Sequence, residues 1–296
     1  MYNFDEVIDR RHTNAMNTDG FRGYIFHADD SMTFPYKDEE FIRMWVADME
    51  FATPDVVIDG MRERLDKRIF GYTRVFEKSY YDALAAWCKA RYDWSFDRKE
   101  LVMSNGIIPA LFEMVEYICK PDEKVLFLTP SYAYFKYAAE AGNREYVCSD
   151  LVYEDGRYSI DFDDFAKKAA DEKTSLLILC NPHNPSGRVW TEEELKGLAK
   201  IIEENSLWFI SDEIHCDLLR CNQKHIPLGK VMPDYQRLVT CMAPSKTFNL
   251  AGMMISNVII RDEGLRSVWL DKHYNFDNPL SIAAAQSAYE KGQPWL

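Results

Sequence analysis

At 296 residues, 47% apolar and 14% aromatic, the chain has the length and composition of a folded protein with one large domain or two smaller ones, without disordered or repetitive bias. Its 35 basic against 48 acidic residues give a net charge of -13 with no compensating Lys/Arg cluster, so neither nucleic acid nor an anionic membrane surface is an expected partner. Seven cysteines without CxxC spacing and six histidines without HxxxH or HxH spacing argue for packed, reduced thiols over a disulfide framework, and no metal is expected.

The opening MYNFDEVIDRR is charged from its fifth residue and lacks the apolar core of a signal peptide. No later run reaches membrane-spanning length, so a cytoplasmic location is expected. A polar, aromatic arm extends to about Lys37, followed by MWVADMEF and by helices predicted over Asp55–Ile69 and Ser79–Tyr92. From Leu101 the pattern changes, and apolar runs of strand length alternate with amphipathic stretches of helix length. Strands are predicted at Leu101–Ser104, Lys124–Thr129, Glu145–Ser149, Ser175–Cys180, Leu207–Ser211, Leu238–Met242 and Ile255–Ile260. Helices are predicted at Ile108–Cys119, Tyr134–Ala141, Asp161–Asp171 and Thr191–Asn205, the last opened by Thr191 and Glu194 at capping-box spacing. A further helix is read over Pro279–Lys291, before the sequence ends at GQPWL.

This alternation predicts an α/β fold, a mostly parallel seven-stranded sheet covered by helices on both faces. Ligands of such open sheets sit beyond the carboxyl ends of the strands. Three stretches fall there in order: NPHNPSG with Asn184, SDEIH with Asp212, and APSKTF with Lys246. Alone, Asn184 between two prolines would be a turn residue, Asp212 a helix cap and Lys246 a solvated amine. Together they supply an amide, a carboxylate and an amine, the groups that hold and charge a pyridoxal phosphate ring.

On these motifs the chain resembles the aspartate aminotransferase fold group of pyridoxal phosphate enzymes, and more closely its MalY/PatB branch of cystathionine beta-lyases and related carbon-sulfur lyases. The resemblance runs through FDEVIDRRHTN, WVADMEFATP, FGYT, NGIIPAL, TPSYAYF, NPHNPSGRVW, SDEIH and APSKTFNLAG. It implies an arm and part of a small domain at 1–50, a transferase-like large domain at 51–285, and the start of a further small-domain segment at 286–296, which leaves the small domain incomplete. It also implies pyridoxal 5'-phosphate as cofactor. By the same resemblance, Lys246 is the amine that condenses with the cofactor aldehyde and moves protons at the substrate α-carbon. Asp212 pairs with the ring nitrogen, Asn184 bonds the phenolic oxygen, and Tyr132 stacks on the ring. The backbone amides of Ile107 and Ile108 meet the phosphate at a helix start. Tyr72 reaches that phosphate from a partner subunit, which implies a homodimer.

Two positions depart from the broader aminotransferase pattern: His215 stands where many members carry a tyrosine, and Met254 where many carry a phosphate-binding arginine. Both suit the lyase branch and leave Ser245 to supply more of the phosphate contact. The stretch from Met16 to Lys37 has no clear counterpart in the branch. The family closes its small domain with a carboxy-terminal arginine that forks onto the substrate carboxylate; this chain stops before it, so a truncated protein is expected. The implied reaction is β-elimination from cystathionine or a similar cysteine conjugate to a thiol, pyruvate and ammonia. An aminotransferase on the same scaffold is the first alternative, and a non-catalytic regulatory binding protein the second.

Overall fold

The computed structural model describes residues 2–29, 31–220, 222–273 and 276–296; Cys221, one of the seven cysteines expected to be reduced, lies outside the described residues. The predicted apolar runs pair into one sheet: β1 (Leu101–Ser104), β2 (Lys124–Thr129), β3 (Glu145–Asp150), β4 (Thr174–Cys180), β5 (Trp208–Asp212), β6 (Leu238–Met242) and β7 (Ser256–Ile260). The order across the sheet is β1-β7-β6-β5-β4-β2-β3. Strand β7 runs antiparallel to both neighbours and the other pairs are parallel.

The helices are α1 (Phe21–Phe26), α2 (Asp55–Leu65), α3 (Lys78–Tyr92), α4 (Ile107–Ile118), α5 (Ala133–Ala141), α6 (Phe162–Ala169), α7 (Glu192–Glu204), α8 (Leu228–Val231), α9 (Pro244–Thr247), α10 (Glu263–Lys272) and α11 (Pro279–Lys291). A strand covered on both faces must be apolar at consecutive positions, and β6 and β7 are buried throughout. Alternation then sorts each strand between two cores. Leu176 and Ile178 of β4 pack with Leu111 and Met114 of α4 on one face. Leu177 and Leu179 pack with Leu195 and Leu198 of α7 on the other. Each fully buried leucine is worth about 1.5–3 kcal/mol. A third cluster joins α2, α3 and α11 through Val57, Leu84 and Ala285. Helix α11 is continuous from Pro279 to Lys291, and residue 285 lies within it.

The α7 start has the expected reciprocal cap: the Glu194 N–H donates to Thr191 Oγ1 at 3.2 Å and the Thr191 N–H to Glu194 Oε2 at 2.8 Å. Helix α2 stops at Leu65, short of Ile69, because the RERLDKR run offers no apolar stripe and Arg68 turns the backbone to φ 55°. The alternation did not predict the hairpin Val152–Glu154 and Arg157–Ser159, joined by Asp155 and Gly156 at φ 49° and 77°. An Asp-Gly pair with both residues left-handed is the turn such hairpins favour, so that dipeptide was the available signal. The arm is also more ordered than its polarity suggests. Phe21 is buried and packs against Phe26, Phe41 and Trp45 at centroid distances of 6.1, 5.4 and 5.4 Å. Among the described residues no helix is long and apolar enough to cross a membrane, and no group of three His, Cys, Asp or Glu is placed to hold a metal ion.

Candidate active site

The loops leaving the carboxyl ends of β1, β2, β4, β5 and β6 meet at a cavity of about 540 Å³. Ile107, Ile108, Tyr132, Asn184, Asp212, His215, Ser245 and Lys246 all line it. Tyr72 is not brought there. It is exposed on a separate groove, its ring 4.9 Å from that of Phe276.

Asp212 ends β5, paired across the ladder with Cys180 and Cys241, which fixes its backbone to both flanking strands. Its carboxylate is buried and accepts one hydrogen bond among the described residues, from the Ile214 N–H at 3.2 Å. Burial lifts its pKa to about 7, with the Glu213 charge adding to the rise and the Ile214 bond and the Lys246 cation opposing it. Lys246 follows β6 in the single turn of α9, and its half-buried Nζ donates to the Ala47 carbonyl at 2.9 Å. Burial lowers its pKa, opposed by the charges of Asp48 and Asp212. The amine is therefore easier to deprotonate than a surface lysine.

Burial and the nearby Lys246 cation bring the His215 pKa to about 4, so its ring is neutral. Burial pushes Tyr132 up to about 12, so it remains a phenol. Asn184 sits in a turn that is fixed from within: the His183 N–H donates to the Arg188 carbonyl at 2.7 Å and the Gly187 N–H to the His183 carbonyl at 2.8 Å. The Asn184 N–H also donates to Cys180 Sγ at 3.4 Å. Burial holds that thiol well above its usual pKa, so it is neutral. At the start of α4, no side chain caps the first-turn amides, and Gly106 holds φ 122°, a conformation open to glycine and strained for other residues. Such first-turn N–H groups, with the helix dipole, are of the kind that could hold an anion.

Sequence reasoning missed the opposite wall. Tyr24, Ile25, Val46 and Ala47 of the arm also line the cavity, as do Cys180, Ile214 and Met254. MWVADMEF was singled out, yet nothing in its pattern assigned Ala47 a place at the lysine. Tyr24 and Ile25 carried no signal.

The family model for aminotransferase class I and II matches residues 39–293. The chain is 37% identical to cystathionine beta-lyase PatB of Bacillus subtilis (strain 168) over 99% of this chain and 74% of that protein. To the protein MalY of Escherichia coli (strain K12) it is 28% identical, over 100% of this chain and 74% of the other. Among solved structures, the PLP-bound C-S lyase from Staphylococcus hominis superimposes with a TM-score of 0.93 at 51% identity, covering 100% of this chain and 72% of that one.

Proposed function

The chain belongs to the class I and II aminotransferase family, and from that premise we propose that it is a pyridoxal phosphate-dependent carbon-sulfur β-lyase. It takes a cysteine thioether such as cystathionine, with water, to a thiol, pyruvate and ammonia. The observation that carries this reading is the convergence of Lys246, Asp212 and Asn184 on one cavity at the strand ends.

The residues fit the cofactor: the cavity offers a buried carboxylate with one described hydrogen bond, an uncapped helix start and a half-buried amine of lowered pKa. Pyridoxal 5'-phosphate, when bound, supplies an aldehyde for amines and a ring that accepts the electron pair released at the substrate α-carbon. In the reading proposed here, Asp212 holds a proton at the ring nitrogen, and Asn184 orients the ring through its oxygen. Tyr132 and His215 pack against the ring, both neutral. The amides of Ile107 and Ile108, with the Ser245 hydroxyl, bind the phosphate. Lys246 Nζ would be the amine that holds the cofactor and, with its lowered pKa, the base that would move the proton at the substrate α-carbon, so that the thiolate could leave the β-carbon.

We further propose a homodimer, to which the exposed Tyr72 contributes across the interface, and a cytoplasmic location. The six described cysteines, all free, support the second point. The purified chain mixed with pyridoxal phosphate should turn yellow, yield a borohydride-trapped adduct at Lys246 and release pyruvate from cystathionine. A colourless mixture overturns the cofactor reading. Amine transfer that depends on an added keto acid, without pyruvate release, replaces the lyase with an aminotransferase.

A further inference from the structure

Asp212 is poorly anchored for the work assigned to it. A carboxylate that faces a ring nitrogen must be held within about 0.5 Å, and its one described hydrogen bond is a 3.2 Å contact from the Ile214 amide. Its orientation therefore depends on the backbone at the end of β5. The parallel ladder ends just past it, its last bonds being the Asn181 N–H on the Asp212 carbonyl at 2.9 Å and the Glu213 N–H on the Cys241 carbonyl at 2.8 Å.

The next residue, Glu213, is fully buried and lies on the same side as Ser211, as strand alternation requires. Its carboxylate collects three donors from three different elements. The Ser211 hydroxyl of β5 and the Leu228 N–H at the start of α8 each donate to Oε1 at 2.9 Å. His225 Nε2, from the loop between, is 2.7 Å from Oε2. The Glu213 and His225 side chains are both wholly excluded from solvent. His225 Nδ1 has no hydrogen-bond partner among the described residues, and its ring meets Tyr92 edge-on at 5.1 Å, so Glu213 is its described polar tether.

We propose that Glu213, clamped by His225, is the positioning residue that fixes Asp212 for its contact with the cofactor ring. A buried carboxylate costs free energy that an apolar side chain of the same volume would not, and so needs another reason to be here. Electrostatics does not supply it, because a second negative charge beside Asp212 makes Asp212 harder to ionise. What Glu213 supplies is geometry: it ties the strand end, the start of α8 and the 220–227 loop to one point, immediately beyond the residue that must not move.

This inference rests on the reading of Asp212 as the ring-nitrogen partner, and the experiment separates the two. Wild type, Asp212→Asn, Glu213→Ala, Glu213→Gln, His225→Ala and His225→Gln are loaded with pyridoxal phosphate. Pyruvate release and the visible absorption and circular dichroism of the bound cofactor are then measured. Glu213→Ala and His225→Ala are expected to lose about 10²-fold in kcat, the cost of misplacing a reacting group by about 1 Å, with KM close to wild type and a weakened dichroic band. Each glutamine variant should recover most of both signals, since the amide at 213 still accepts from Ser211 and Leu228 and the amide at 225 still donates to Glu213. A purely structural role would lower thermal stability without moving the band. The inference is overturned if both alanine variants keep wild-type kcat and dichroism, or if Glu213→Gln falls as far as Glu213→Ala. Should Glu213→Ala fail to fold, the His225 pair decides alone by the same criteria. Absence of a visible band in wild type defeats the cofactor reading itself. A wild-type band that Asp212→Asn leaves unaltered defeats the assignment of Asp212.

Discussion

The two walls of the cavity are held by different means. On the strand-end side, Asp212, Asn184, Tyr132 and Lys246 are positioned by a sheet whose central strands are buried at nearly every position. On the other side, Tyr24, Ile25, Val46 and Ala47 are carried by an arm that adds no strand to that sheet. The arm depends on aromatic packing around Phe21 and on discrete polar ties, among them Arg10 to Asp48 at 2.6 Å and Asn17 to Asp48 at 2.8 Å. The backbone of a wall fixed by many shared contacts moves little when a distant one is lost, whereas a wall fixed by a few moves with each. On the strand-end side, only ties that meet beside a site residue, such as those of Glu213 next to Asp212, should therefore matter. The walls meet where Lys246 donates to the Ala47 carbonyl, and the largest effect is expected there. Replacing Lys246 with alanine should lower pyruvate release by about 10³-fold, within the range of a positioned proton-transfer group, and abolish the borohydride-trapped adduct. An adduct that persists on another lysine would break the assignment and shift the chemistry off this junction.

The contrast also explains what the sequence disclosed. Strand ends are marked by long-period patterning that any parallel sheet must obey, and each residue predicted from NPHNPSG, SDEIH and APSKTF lies on the cavity. The arm follows no period. Its ring pairs join residues such as Phe21 and Trp45 through tertiary packing, which composition does not encode, so Tyr24 and Ile25 could not be placed. Tyr72 was legible as a residue with a role in the family and not as a neighbour within this chain. Glu213 and His225 were hidden for a third reason: a buried acid beside a ligand-facing acid reads in sequence as part of one motif, and the two faces of the strand separate them.

Asp212 sharpens the comparison because its wall should hold without its side chain. Asp212→Asn should lower activity by about 10²-fold, as removal of a preorganised electrostatic group does, with the fold intact. Stability of the cofactor-free chain gives a second reading. Burial raises the Asp212 pKa from 3.8 to about 7, so its contribution is fully present below pH 3.8 and is lost as pH rises through about 7. The difference in unfolding free energy between wild type and Asp212→Asn should therefore change across that window and be flat above it. A difference that is constant from pH 4 to 8 would show that Asp212 titrates as a solvated acid.

Asn249 tests the joint between the walls. Its Oδ1 accepts from the Met49 N–H at 3.0 Å, and its Nδ2 is 3.0 Å from the Met49 carbonyl and 2.9 Å from that of Phe51, so one side chain pins the arm to the loop after Lys246. Its backbone sits at φ 57°, which asparagine tolerates better than alanine. Asn249→Ala should cost about 2–3 kcal/mol, at about 1 kcal/mol for each hydrogen bond lost, and Asn249→Gly should cost less by the relief of backbone strain. The loss should fall on the arm, read as faster proteolysis before residue 50 while hydrogen exchange in β5 and β6 stays slow. Equal acceleration in the arm and the sheet would mean that the two walls are one cooperative unit.

The smallest effect is expected at Thr191, whose cap lies on the scaffold side and touches nothing in the cavity. Thr191→Ala should cost about 1 kcal/mol of stability and leave kcat and cofactor affinity unchanged. Its partner in the same cap should behave differently. The Glu194 carboxylate also receives Arg188 through contacts of 2.6 and 2.5 Å, and the Arg188 backbone carbonyl closes the turn that carries Asn184. Glu194→Ala should therefore weaken cofactor binding as well as stability, by freeing that turn. If the two substitutions prove alike in both measurements, the Asn184 turn is held by the sheet alone, and the strand-end wall is still less dependent on single contacts than its contrast with the arm implies.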